Sequence, residues 1–220
     1  DIINDISCNY LTYGFNDKFD LSVKSYVLNI DWTKIIFKFK KQEFSIKTNL
    51  IGKFNIYNVM GAILASWKSG LNITEIVNAL SDFKRVPGRF EQFKLKNQNH
   101  AIVDYAHSPD AFKKILSSIK DLTTKNIITI FGCGGDRDKT KRSQMASIAE
   151  KYSNFVYDLD FENFTNNPEI ESKKLMSFCN LPWDKKCLEF YKRKDIVSKT
   201  TSYQQIRKAI YKHTANKYLP

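Results

Sequence analysis

The chain has 220 residues, 42% of them hydrophobic, with 35 Lys and Arg against 23 Asp and Glu for a net charge of +12. That apolar content is enough for one medium core or two small ones. No apolar run approaches a membrane span and no signal peptide is evident, so the composition predicts a soluble, cytoplasmic chain with no membrane partner. The segment from Tyr157 onward carries 12 basic and 8 acidic residues, leaving +8 on the remainder. A positive excess this diffuse attracts polyanions and anionic nucleotides in general and excludes a basic stripe for specific nucleic-acid recognition. Cys8, Cys133, Cys179 and Cys187 form no CxxC pair and read as free thiols, with only Cys133 near candidate chemistry.

In chain order, Leu21 to Ile30, Lys34 to Phe39 and Glu43 to Thr48 alternate as strands of a meander, with a turn near Lys40 to Gln42. Asn55 to Ser69 predicts a helix closed by Gly70, and Thr74 to Phe83 a second helix capped by Thr74 or Asn72. Val86-Pro87-Gly88 reads as a hinge. Ala101 to Val103 is a short strand leading into Asp104-Tyr105-Ala106-His107-Ser108-Pro109-Asp110. There Ser108 can cap a helix that has Pro109 at its first position and Asp110 in its first turn. This leaves Asp104 and His107 at the strand end without a structural task. A carboxylate there suits a ribose hydroxyl, while His107 either satisfies backbone groups or contacts a ligand.

Ile127 to Phe131 predicts another strand, after which Gly132, Gly134 and Gly135 let the backbone turn sharply and approach an anion before Ser143 starts a helix. Asp136, Arg137, Asp138, Lys139, Lys141 and Arg142 follow the glycines, and Arg137 stands where a dinucleotide fingerprint would need its third glycine. A solvated turn is the alternative reading. Strand, turn, helix, strand, glycine loop and helix together predict an α/β fold, with two polar turns at the ends of neighbouring strands.

Four motifs in this order, GKFNIYN (52–58), VPGRFE (86–91), VDYAHSPDAF (103–112) and FGCGGDRDKTKR (131–142), resemble the Mur ligases. Within that family they resemble the type that adds the third amino acid to UDP-N-acetylmuramoyl-dipeptide. The resemblance covers about 11–154. It implies an ATP- and magnesium-dependent ligase of peptidoglycan synthesis, in which a substrate carboxylate becomes an acyl phosphate that the amine of a diamino acid attacks. It places Asn58 near adenine, Arg89 at the phosphates or ribose, Asp104 on the ribose, His107 in the same cofactor region, and Arg137 facing the incoming amino acid. Chemistry agrees: an amide offers donor and acceptor to a base edge, and guanidinium forks match oxyanions and carboxylates. Asn58 bonding within its own helix and Arg89 as a surface ion-pair residue are the alternatives. The family's Gly-Lys-Ser/Thr phosphate loop and magnesium ligands do not occur in the sequence, so no catalytic or metal-binding residue is assigned and an N-terminal part is expected to be missing.

Phe155 to Pro220 reads instead as the C-terminal piece of a sulfotransferase of the type fused to tetratricopeptide repeats: a strand, an Asn-Pro turn, a helix ending at Leu-Pro-Trp-Asp, then Ser-x-x-Gln-x-Arg. That resemblance implies phosphate contacts at Ser202 and Arg207. Two amphipathic helices with basic solvated faces are the alternative. The resulting division is 1–86, the end of a Mur ligase central ATPase domain; 87–154, a truncated Rossmann-like Mur ligase C-terminal domain; and 155–220, a mostly helical sulfotransferase-like tail. Because no Gly/Pro/Ser linker separates the last two, a chimera of partial genes is expected. A monomer is expected, and with the phosphate loop missing, one inactive by itself. A non-catalytic nucleotide-binding or interaction module is the competing function.

Overall fold

The computed structural model describes residues 7–133, 140–192 and 209–210. The chain forms two compact units, Asp1–Tyr105 with Asp121–Thr123, and Ala106–Lys120 with Thr124–Pro220. Arg137, Ser202 and Arg207, with Gly134, Gly135, Asp136, Asp138 and Lys139, lie outside the described residues.

The first unit is built on a four-stranded sheet in the order β1 (Tyr13–Gly14), β2 (Leu21–Leu28), β3 (Thr33–Phe39), β4 (Gln42–Thr48). Strict alternation on β3 turns Thr33, Ile35, Phe37 and Phe39 inward. The register of β2 on β3 shifts between Val23 and Ser25, a bulge at Lys24 beyond which β2 faces outward, and the strand stops two residues short of the expected Ile30. Lys40 and Lys41 close the β3–β4 hairpin with φ of 49° and 66°, so the turn occupies two residues and Gln42 already belongs to β4. Neither lysine is a usual choice for that backbone, and the Lys40 ammonium lies 3.9 Å from the centre of the Trp67 ring.

Helix α1 (Lys53–Lys68) covers this sheet with Ile56, Val59, Met60, Ile63 and Leu64, the 3–4 spacing of one helix face. It begins two residues before the expected Asn55. Helix α2 (Ile73–Ser81) starts at the Asn72 cap: Asn72 accepts from the Glu75 N–H while the Glu75 carboxylate accepts from the Asn72 N–H. Of the two caps open in the sequence, Asn72 is therefore the one used, because Glu75 completes the box. The unit ends with an antiparallel hairpin of β5 (Glu91–Lys94) and β6 (His100–Val103).

In the second unit, α3 (Pro109–Leu122) and α4 (Thr140–Tyr152) pack Phe112, Leu116, Met145 and Ala149 together, with Phe131 and Val156 against them. The latter two come from β7 (Ile128–Phe131) and β8 (Phe155–Asp158), which form a parallel two-stranded ladder. The expected side-by-side pairing of the β6 and β7 segments is not found among the described residues, since β6 pairs with β5 and β7 with β8. Ser143 lies in the first turn of α4 rather than at its start, its hydroxyl donating to the Thr140 carbonyl at 3.2 Å. The chain continues through α5 (Phe161–Asn166) and α6 (Pro168–Phe178), and the Trp183 indole N–H donates to Ser172 Oγ at 2.9 Å. No described helix is long and apolar enough to cross a membrane.

Candidate functional site

The segment Val86 to Glu91 is a tied turn. Arg89 N–H donates to the Val86 carbonyl at 3.1 Å across Pro87 and Gly88, and Gly88 has φ 68°. Proline at the second position and a left-handed residue at the third make this a type II turn, which is why the Pro-Gly pair stands here. Gly88 N–H donates to Glu91 Oε2 at 2.8 Å. Phe90 adopts φ 45°, unusual for a bulky residue, and three contacts hold it there. Its side chain is buried, its ring centre lies 6.2 Å from that of Phe54, and its N–H donates to Asp104 Oδ2 at 2.7 Å.

Asp104 is thus not without a structural task, contrary to the sequence reading. Its carboxylate ties the end of β6 to the turn that carries Arg89. The guanidinium of Arg89 lies 5.3 Å from the centre of the Tyr105 ring, so Arg89 makes a cation–π contact rather than an ion pair among the described residues. Asn58 follows Phe54 by four residues on α1 and shares its face, on the side that meets Phe90. Its Nδ2 donates to Asn55 Oδ1 at 2.9 Å, and Asn55 Nδ2 donates to the Ile51 carbonyl at 2.8 Å. The bond within the helix weighed for Asn58 therefore exists, and it fixes the amide plane while using one of its two donors.

The first unit accordingly brings Asn58, Arg89 and Asp104 onto connected elements. Phe90, Tyr105 and Asn55, which the sequence reading passed over, contact them. The Asn-x-x-Asn spacing of 55–58 could have flagged Asn55, whereas nothing in the sequence singles out Tyr105. His107 is exposed and belongs to the second unit, in the loop before α3, where Ser108 Oγ accepts from the Ala111 N–H at 3.3 Å as the expected cap.

At the described end of the glycine loop, packing accounts for Gly132. A Cβ on Gly132 would sit 2.5 Å from the Leu159 carbonyl oxygen, so close packing beside β8 demands glycine there. Cys133 donates to Met145 Sδ at 3.6 Å, and burial, with a smaller push from the Asp158 charge, raises its thiol above the usual range. An open depression of about 510 Å³ between α3 and α4 is lined by Pro109, Lys113, Ser147, Ile148, Lys151 and Tyr152, none of them a predicted site residue. No group of three or more metal-ligating side chains occurs among the described residues.

Comparison with known proteins supplies the context. Residues 1–66 match the Mur ligase middle domain and residues 88–210 the domain described as Mur ligase, glutamate ligase domain. The second match runs across most of the segment that resembles a sulfotransferase, and that resemblance finds no support in these comparisons. A UDP-N-acetylmuramoyl-L-alanyl-D-glutamate–2,6-diaminopimelate ligase of Alkaliphilus oremlandii is 40% identical over 145 residues, covering 66% of this chain and 30% of that protein. Its counterpart from Fusobacterium nucleatum is 43% identical over 133 residues, covering 60% and 27%. A solved structure of a ligase with the same name superposes with a TM-score of 0.53 at 26% identity, over 76% of this chain and 34% of that one. The chain thus spans about a third of the length of the relatives it matches.

Proposed function

The chain belongs to the Mur ligase family, and from that membership we propose that it serves a peptidoglycan-precursor ligase joining 2,6-diaminopimelate to UDP-N-acetylmuramoyl-L-alanyl-D-glutamate. The observation that carries the substrate choice is the 40% identity to a ligase named for that reaction. We assign residues 1–86 to the middle domain and the chain from residue 87 to the C-terminal domain. In this reading the segment from Phe155 continues the C-terminal domain, and Ser202 and Arg207 have no sulfate-donor role.

Within this reading the first unit holds the nucleoside end of the ATP site. Asp104, oriented by the Phe90 N–H, accepts from a ribose hydroxyl; Asn58, oriented by Asn55, meets the adenine edge; Arg89 donates to phosphate oxygens. These residues fit the group because each is a polar head whose direction is already fixed by a neighbour, which lowers the ordering cost of binding. His107 is assigned to the same cofactor, and Arg137 to the carboxylate of the incoming amino acid. Bound ATP would supply the phosphoryl group that turns a substrate carboxylate into an acyl phosphate. For magnesium, no group of three or more metal-ligating side chains stands ready among the described residues.

Calorimetric titration of ATP tests the assignment. Asp104→Ala is expected to weaken binding roughly tenfold or more, the loss of a charged hydrogen bond. Asp104→Asn, which keeps an acceptor for Phe90, should fall between it and the wild type. Identical heats for wild type and Asp104→Ala would remove the ribose assignment.

A further inference from the structure

Two arginines flank the 86–89 turn and are used in opposite ways. Arg85 spends its donors on the chain, giving hydrogen bonds to the carbonyls of Asn49 at 3.3 Å and Asp31 at 2.9 Å. Arg89 is exposed, and its guanidinium carbon lies over the Tyr105 ring, 5.3 Å from the centre of a ring that is itself 62% exposed. A cation–π contact is electrostatic and not a conventional hydrogen bond, so the guanidinium keeps donors for an oxyanion. The two stacked residues are also linked through their chain neighbours, because Phe90 N–H donates to Asp104 Oδ2 at 2.7 Å. The backbones that carry the ring and the guanidinium therefore cannot drift apart while that bond holds.

We propose that Tyr105 is a positioning residue for Arg89: its ring pre-orders the guanidinium so that the in-plane donors face the phosphate oxygens of the nucleotide. This rests on the nucleotide-binding reading above. Pre-ordering is what matters here, since a long exposed arginine otherwise loses rotamer freedom when it binds. The aromatic face supplies this contact, so phenylalanine should replace tyrosine and leucine should not.

The test titrates ADP into wild type, Tyr105→Phe, Tyr105→Leu, Arg89→Ala and the Arg89→Ala/Tyr105→Leu double variant, and follows the Arg89 side chain by NMR in the ligand-free chain. Tyr105→Phe should keep the wild-type affinity. Tyr105→Leu should weaken binding about three- to fivefold. It should have no further effect in the Arg89→Ala background. The Arg89 δ-methylene protons should show an upfield ring-current shift that Tyr105→Leu abolishes and Tyr105→Phe retains. An equal loss from Tyr105→Leu with and without Arg89 overturns the proposal, as does absence of the ring-current shift. A wild-type chain that shows the shift but takes up no ADP would instead refute the nucleotide reading while keeping the stacked contact.

Discussion

Among its described residues the first unit closes a core of twelve buried residues between a four-stranded sheet and two helices, and Phe37, Ile35, Ile46, Ile56 and Met60 are almost wholly hidden. Among the described residues of the second unit the corresponding cluster has four, set between α3, α4 and one face of the two-stranded β7–β8 ladder. The other face of that ladder leaves Ile128, Ile130 and Phe155 between 39% and 53% exposed. A parallel pair is normally covered on both faces, and a ladder of two strands buries little by itself. The comparison teaches that the two units should differ in stability although both obey the same patterning, because stability follows the apolar area enclosed.

The largest expected effect separates the units. Amides of β2 to β4 should exchange with solvent far more slowly than those of β7 and β8, and equal protection in hydrogen exchange would break the contrast. Phe37→Ala should cost about 3–5 kcal/mol in denaturant unfolding of the first unit, because that side chain is fully enclosed. A loss below about 1 kcal/mol would show that the sheet–helix core is not the stable body described. Next in size, Asn72→Ala should remove about 1 kcal/mol by opening the capping box of α2, read from the same unfolding curves.

The smallest effect concerns how β1 joins the sheet. It pairs in parallel with β2 across a connection of only residues 15–20, short for a parallel crossover, and a clamp closes it. Asp20 Oδ2 accepts from both the N–H and the hydroxyl of Thr12 at 2.7 Å, and these bonds hold its carboxyl below the usual value of 3.8. The folded pKa is depressed, so the stabilisation is present above the unfolded value and is lost as pH falls through the folded one. Asp20→Asn should therefore destabilise by about 0.5 kcal/mol near neutral pH after solvent screening. The difference from wild type should shrink below pH 3.8 in acid titration of stability, and a difference that grew there would contradict the clamp.

Much of this was legible along the chain. The meander, α1 and α2 emerged within a few residues because alternation and 3–4 spacing are local signals, and Ser108 caps α3 as its position before Pro109 implies. The Mur ligase motifs were equally readable, since Gly-rich and Pro-Gly turns, a strand-end carboxylate and an arginine after glycine keep their meaning without a partner in space. Contacts between distant residues were not. That Asp104 accepts from the Phe90 N–H, that the Arg89 guanidinium lies over the Tyr105 ring and that Gly132 meets the Leu159 carbonyl each require two segments to meet. Sequence by itself determined the meander, the helices α1 to α4 and the family of about 11–154, because backbone propensity and motif spacing act over a few residues; it did not show β1 or β5, and its sulfotransferase reading of 155–220 found no support. Only the tertiary structure decided which polar heads are oriented and by what, because that depends on packing across the fold.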